Sequence, residues 1–396
     1  MQTWQRNLYA IWVAELVAIA GFTVGLPFIP YYVQALGVTE LEQVEFWSGL
    51  FFASQGITMA VFSPIWGSVA DRYGRKLMVE RAMFSGAVLM GAMGFVQNVQ
   101  QLVVLRALQG CLTGTVAAAT TLVASSVPRQ RAGQALGLLQ MAIYSGASAG
   151  PLLGGLVADH LGYRAAFVIT GGLLFLAGVM VAAFVHEEFE PPHREPGSRT
   201  GDFWLGVKTV FRSRELLAVL GIDLMMRLGT RLIGPTLPLF VQTLVPGETR
   251  VASLVGLITG LGAATSAVGA ILLGRASDRL GYRTVLLICA PAIAVVYISQ
   301  FFVTTPVQLL VLQAVAGAAI GGGLAAIGAM LANLSPEGRQ GAVYGLDSSV
   351  VSAANGLGPM IGALVAVRLG LRAPFLFAAG IYGLAILKVG LPVSKR

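Results

Sequence analysis

The second half of this chain repeats the first at an offset of 207–208 residues. Gly150-Pro151-Leu152-Leu153-Gly154-Gly155 returns as Gly358-Pro359-Met360-Ile361-Gly362-Ala363. The run Gly67, Asp71, Arg72, Gly74 returns as Gly274, Asp278, Arg279, Gly281. Glu15, inside the first apolar stretch, falls on Asp223 inside the seventh. Two like halves meet at an interface, and duplicated membrane proteins bind and move solutes at such interfaces. The repeat therefore points to transport.

Composition places both halves in a bilayer. Apolar residues are 56% of 396 and charged residues 11%, against about 25% charged in a soluble domain. Fifty glycines suit close helix packing in lipid. Twelve apolar stretches are each near or above the roughly 20 residues that a spanning helix needs. They run approximately over 7–35, 46–70, 76–97, 100–126, 134–158, 164–186, 215–243, 251–274, 284–304, 307–332, 340–367 and 373–392. With the N-terminus in the cytoplasm, 19 of the 26 Lys/Arg face that side. Four (Arg164, Arg250, Arg368, Arg372) lie outside and three (Arg106, Arg227, Arg231) lie within the membrane. This is the positive-inside asymmetry. The net charge of +8 thus reads as topology with some affinity for anionic membrane lipid, and nucleic acid is not an expected partner. The first stretch has no small-residue cleavage site at a suitable distance and is too long for a signal-peptide core, so it reads as a retained helix. Cys111 and Cys289 lie in separate stretches, and His160, His186 and His193 sit at segment ends or in the linker. Neither a disulfide framework nor a metal site is expected, and no cofactor is implied.

The expected fold is an all-α integral membrane protein with 12 transmembrane helices in two pseudo-symmetric six-helix bundles. Residues 1–186 form the first bundle, 187–214 a cytoplasmic linker and 215–396 the second bundle. Six helices return the chain to its starting side, so the halves are related by an axis along the membrane normal. Glu187, Glu188, Glu190, Pro191, Pro192, Pro196 and Gly197 mark the linker as extended. From Asp202 to Arg212, Phe203, Val207, Val210 and Phe211 fall at helical spacing opposite Lys208 and Arg212. That pattern suits a short helix on the membrane surface; a solvated linker is the other reading. Glu40, Glu42 and Glu45 in the first outer loop read as a solvated face.

Three motifs carry more information. Gly67-Ser68-Val69-Ala70-Asp71-Arg72-Tyr73-Gly74-Arg75-Lys76 joins the second and third stretches. Its glycines permit a tight turn, and Arg72, Arg75 and Lys76 hold it in the cytoplasm. Asp71 is placed to reach a helix N-terminus or a nearby arginine. Leu102 to Gly114 sets Arg106 inside an apolar helix, which costs several kcal/mol unless the side chain meets a partner or water. Gly146, Gly150 and Gly154 recur every four residues and form one smooth helix face, while Pro151 removes a backbone hydrogen bond and bends the helix.

These resemble the loop signature and the fourth-helix and fifth-helix motifs of the major facilitator superfamily, the last being typical of its drug:proton antiporters. The resemblance covers essentially the whole chain, including Trp4-Gln5-Arg6-Asn7-Leu8 and Trp47-Ser48-Gly49. The chain looks like the bacterial 12-helix multidrug-resistance exporters. That resemblance implies a monomer in the bacterial inner membrane with both termini cytoplasmic. It implies export of small lipophilic compounds against protons by alternating access, with the proton gradient as energy source and helices 1, 4, 7 and 10 around a central cavity. The second loop departs from the pattern at Tyr282 and Thr284, where the first has Arg75 and Leu77, which implies a weaker latch at Asp278 and Arg279.

Six ionisable residues lie well inside the stretches: Glu15, Asp223 and Asp347 against Arg106, Arg227 and Arg231. They balance when all are charged, as burial demands of structural and functional clusters alike. Asp223, Arg227 and Arg231 step by four along one face, and an aspartate four residues before an arginine is a favourable pair. This pairing keeps Asp223 ionised and makes it a poor proton carrier. Glu15 has no base at that spacing and shares its face with Trp12, Ile19 and Phe22. Desolvation there favours the protonated form, so Glu15 is the expected proton-coupling site, supported by Asp223 or Asp347. A permanent bridge from Glu15 to Arg227 or Arg231 is the competing reading. Arg106 stabilises a deprotonated acid or orients substrate on one reading and sits in a structural ion pair on the other. Its repeat partner Gln313 keeps polarity without charge. Trp12, Phe22 and Tyr144 suit the lining of an apolar cavity and suit packing equally.

Two alternatives share this fold. An importer is expected to lack the Gly-Pro spacing. A lipid or organic-anion transporter, flippase-like, would use Arg227 and Arg231, which replace Ile19 and Thr23 of the first half, to receive an anionic headgroup. A sensor is disfavoured because no sizeable soluble domain is present. No nucleophile–base pair, phosphate loop or metal set supports an enzyme.

Overall fold

The computed structural model describes residues 3–128, 131–187, 213–248, 250–335 and 340–390. The surface helix expected over Asp202–Arg212 lies outside the described residues, as do the burial of Gly67 and the side chain of Asp71. Among the described residues every regular element is helical. The first half comprises α1 (Thr3–Gly25), a 3-10 turn (Leu26–Phe28), α2 (Ile29–Ala35), α3 (Leu41–Tyr73), α4 (Arg75–Met93), α5 (Val99–Leu112), α6 (Thr115–Ser126), α7 (Ala132–Leu161) and α8 (Tyr163–Phe184). The second comprises α9 (Arg214–Leu232), α10 (Thr236–Leu244), α11 (Val251–Leu280), α12 (Tyr282–Phe301), α13 (Pro306–Leu334), α14 (Gln340–Leu369) and α15 (Ala373–Gly390).

These helices make 12 spans, because three apolar stretches each break into two helices. The first breaks at Leu26–Phe28 with Pro27 and Pro30 at the junctions; proline lacks the amide that would continue the ladder. The seventh breaks between Leu232 and Thr236, with Pro235 as the N-cap of α10. The fourth breaks at Thr113–Gly114, where Gly114 has φ +143°. The tenth span, α13, runs unbroken through Gly321-Gly322-Gly323, so glycine permits a break without forcing one. Among the described residues eight spans satisfy length and apolarity alone. Charges on α4 and α9 place those helices among the remainder.

The repeat is visible in the packing. In the first half α1 packs on α7 and α8, α4 on α8, and α3 on α5. In the second, α9 packs on α14 and α15, α12 on α15, and α11 on α13. Each pair in one list is the repeat image of a pair in the other. The turns match too: Gly74 and Gly281 have φ +97° and +86° between consecutive spans, a conformation that costs glycine nothing. The halves meet through α3 against α14 and α7 against α11, two contacts that the repeat also interchanges. Among their hydrogen bonds, Ser148 of α7 donates to the Gly260 carbonyl of α11 at 3.0 Å near mid-span, and others cluster at the distal end, opposite both chain termini. There Tyr31 donates to the Pro238 carbonyl, and Gln34 bonds Gln242 at 3.3 Å. Both pairs join residues 207 or 208 apart, so each residue touches its own repeat image and the contact lies on the pseudo-symmetry axis.

Candidate transport site

The glycine face of α7 is a seat for α1. A Cβ at Gly146 would stand 2.8 Å from the Leu16 carbonyl, and one at Gly154 would meet the Val24 backbone. A Cβ at Gly150 would meet Thr23 and the backbone of Ala20. Small residues thus let the two backbones touch. The image of this seat holds α9, since Gly358 and Gly362 of α14 press on Arg231 and Leu232. Each half therefore clamps its first helix, the one that carries an acid, against its fifth.

In the first half the acid stands alone. Glu15 is fully buried, and neither carboxylate oxygen has a hydrogen-bond partner. An ionised carboxylate there would be a buried charge without a counter-charge, so the neutral acid is the form this setting tolerates. The bridge to Arg227 or Arg231 is absent from the structure. Trp12 and Phe22 are half-buried, the Trp12 Nε1 has no partner, and the Phe22 ring packs towards Gly86 of α4. Tyr144 is half-buried on α7.

Arg106 is also buried, at 2% exposure, and it does not form the ion pair that one reading expected. Its Nη1 donates to Gln109 Oε1 at 2.6 Å, and its guanidinium lies 4.7 Å from the centre of the Phe51 ring. A ring face and an amide oxygen thus replace an anion. Gln313, the repeat image, accepts from Gln300 at 3.0 Å, an uncharged pair.

The second half gathers its charges. Arg227 Nε donates to Asp223 Oδ2 at 2.7 Å, as the four-residue spacing implied. Asp347 of α14 stands near enough to Asp223 for their charges to repel. Arg231 stands near enough to Arg227 for their charges to repel, and it remains accessible. Asp223 Oδ1 and Asp347 Oδ1 have no hydrogen-bond partner. Two acids and two bases therefore share one site between α9 and α14.

The loop motifs serve the end nearer the termini. Arg72 is exposed, with its guanidinium 5.3 Å from the Tyr73 ring centre. The amides of Arg75 and Lys76 donate to Glu187 at 3.1 and 2.7 Å, so the first linker residue caps α4. In the second loop Tyr282 donates to Asp278 at 3.4 Å and Arg279 is exposed. Sequence reasoning missed two carboxyls at the distal end. Glu45, read there as part of a solvated face, is 1% exposed between the halves. Asp159 crosses from α7 to the start of α11. The signal for Glu45 was present: Glu45, Gly49, Ala53 and Gly56 form one stripe of α3, and all are buried.

A duplicated helical membrane protein with buried charge beside its inter-half contacts is a carrier of solutes. The sequence profile of the Major Facilitator Superfamily matches residues 11–245 and again 224–395, and the chain belongs to that family of transporters. The multidrug resistance protein MdtG of Salmonella dublin is 35% identical over 378 residues, covering 96% of this chain and 93% of the relative. MdtG of Salmonella typhimurium strain LT2 gives the same identity and coverage. Among solved structures, an inward-facing, unoccupied bacterial homologue of the human lysosomal transporter Spinster superposes with a TM-score of 0.80 at 16% identity, over 98% of this chain and 96% of that one. The human organic anion transporter MFSD10 superposes with a TM-score of 0.70 at 17% identity, over 98% of this chain and all of that one. At those identities the likeness is one of fold.

Proposed function

We propose that this chain exports small lipophilic compounds in exchange for protons, by alternating access between its two bundles. The observation that carries the reading is Glu15: a fully buried acid with no partner, on a helix clamped by the glycine face of α7. Such a group must gain or lose a proton as its surroundings change, and it therefore links protonation to the state of the bundle. Relatives named for multidrug resistance, similar over nearly the whole chain, support the substrate class. The positive-inside asymmetry supports a bacterial inner-membrane location with both termini in the cytoplasm, so the distal end faces outward. The working unit is a monomer that needs no cofactor, and its energy source is the proton gradient.

The test is transport by the purified protein in liposomes with an imposed proton gradient and a panel of cationic, neutral and anionic lipophiles. Gradient-driven movement of cationic or neutral compounds is expected. Movement indifferent to collapse of the gradient would reject proton exchange. A clear preference for anions would move the assignment to an organic-anion or lipid carrier, in which the accessible Arg231 beside Arg227 receives the headgroup.

A further inference from the structure

The two repeat-related contacts between the halves each hold one carboxyl at the distal end, and the two are treated differently. Where α7 meets α11, Asp159 accepts from the amides of Ala252 at 3.2 Å and Ser253 at 2.7 Å. It thus caps α11, where free amides and the helix dipole favour an anion. Where α3 meets α14, Glu45 is 1% exposed. One of its oxygens lies 3.4 Å from the Thr236 hydroxyl at the start of α10, and the other has no partner.

Among the described residues no cation is positioned to hold Glu45 ionised. On α2 the ionisable groups are Tyr31 and Tyr32, whose hydroxyls donate to the carbonyls of Pro238 and Met93. Helix α10 carries no acid or base. The distal half of α14 carries Arg368, which is exposed. On α5 the cation is Arg106, engaged by Gln109 and Phe51. The distal half of α4, Met83 to Met93, has no ionisable residue, and Glu42 at the start of α3 is exposed. One turn below Glu45, a Cβ on Gly49 would stand 3.1 Å from the Pro359 carbonyl of α14. The closed seal itself therefore excludes water from Glu45, and parting α3 from α14 and α10 would expose it.

We propose that Glu45 is a proton-operated latch on the distal seal: the halves close over the neutral acid, and loss of its proton favours opening. In the open state the carboxyl is in water and titrates in the ordinary carboxylate range. In the closed state burial without a counter-charge disfavours its ionised form. Closure therefore takes up a proton, is stable at low pH and is lost as pH rises. One proton limits the change in the closed-to-open ratio to about tenfold per pH unit. The proton comes from the distal side and returns to it on reopening. Glu45 thus times closure and carries nothing across, a role distinct from that of Glu15. The inference rests on the alternating-access reading above only in requiring that the seal open.

The test uses the full chain in lipid nanodiscs, with Cys111→Ser and Cys289→Ala, and spin labels on Thr39→Cys and Thr243→Cys at exposed distal positions. Inter-label distances are read by pulsed electron resonance from about pH 5 to about pH 9, without drug or gradient. The parent protein is expected to shift from the short to the long distance as pH rises. In a Glu15→Gln background, which removes the other acid linked to the state of the bundle, the shift should persist, and adding Glu45→Gln or Glu45→Met should keep the short distance throughout. Asp159→Asn should keep the parental pH slope, because its carboxylate is already satisfied by amides. A parent distance that ignores pH would overturn the proposal. So would a slope that survives both Glu45 variants in the Glu15→Gln background, or one that Glu15→Gln alone abolishes. Because no substrate is used, a chain that failed to export could still show the latch, and an exporter with a pH-blind seal would lack it.

Discussion

The two halves share a frame and handle buried charge in opposite ways. In the second half, Asp223, Asp347, Arg227 and Arg231 lie at one site, and the central pair bonds at 2.7 Å. In the first, Glu15 and Arg106 are both buried, and neither meets an opposite charge. Paired ions hold their protonation states against modest changes in surroundings, because each stabilises the charge of the other. An isolated acid has no such buffer, and its state follows its exposure. The second half thus reads as the fixed electrostatic wall of the carrier, and the first as the half whose charge changes during the cycle.

The comparison breaks most visibly at Asp223. Asp223→Asn removes the anion from Arg227 and leaves two neighbouring cations against one acid. Removing one partner of a buried pair costs about 3–5 kcal/mol. The cost here falls at or below the lower end, because the Arg227 side chain is 28% exposed. A large drop in melting temperature in detergent is expected, with much of it restored by adding Arg227→Gln. If Asp223→Asn melts like the parent, the second half is not a fixed wall.

A smaller effect is expected at Arg106. Arg106→Lys keeps the charge and loses the planar contact with Phe51 and the directed bond to Gln109, at roughly 1–2 kcal/mol. Melting that responds as strongly as at Asp223 would mean that an unseen anion holds this arginine. Smaller again is Gln313→Leu, which leaves the fully buried Gln300 without the acceptor for its amide nitrogen, at about 1 kcal/mol. This variant measures what remains at the image of Arg106 once charge is gone, again by thermal melting.

Much of this was legible in the sequence, and the gaps have physical causes. Apolarity and the repeat were enough to read the 12 spans and the two bundles, because a bilayer demands both long apolar helices and satisfied backbones. The breaks at Gly114 and Pro235 were not read, because hydropathy runs on through them. Helical spacing was enough for the Asp223–Arg227 pair, which is local. The approach of Asp347 depends on α14 seating α9 against Gly358 and Gly362, a tertiary fact that no spacing reports. Gln109 was in view three residues from Arg106, yet the charge directed attention to distant acids when the partner was an amide one turn away. Glu45 was misread because a glutamate near a loop is usually wet; here the small residues below it bring the second half over it.

The variant expected to disturb stability least decides most about function. Glu15→Gln replaces a buried acid whose neutral form the site already tolerates with a neutral group of nearly the same shape. Both carboxyl oxygens lack partners, so no bond made by the parent is lost. The melting temperature should move by less than about 1 °C, under about 1 kcal/mol for a chain of this size. Glutamine cannot release a proton, however, so flux driven by a proton gradient should fall to background while binding of a lipophile persists. Parental flux with parental stability would show that Glu15 is packing alone. The proton would then have to ride on the Asp223–Asp347 pair, and the fixed wall and the variable half would exchange places.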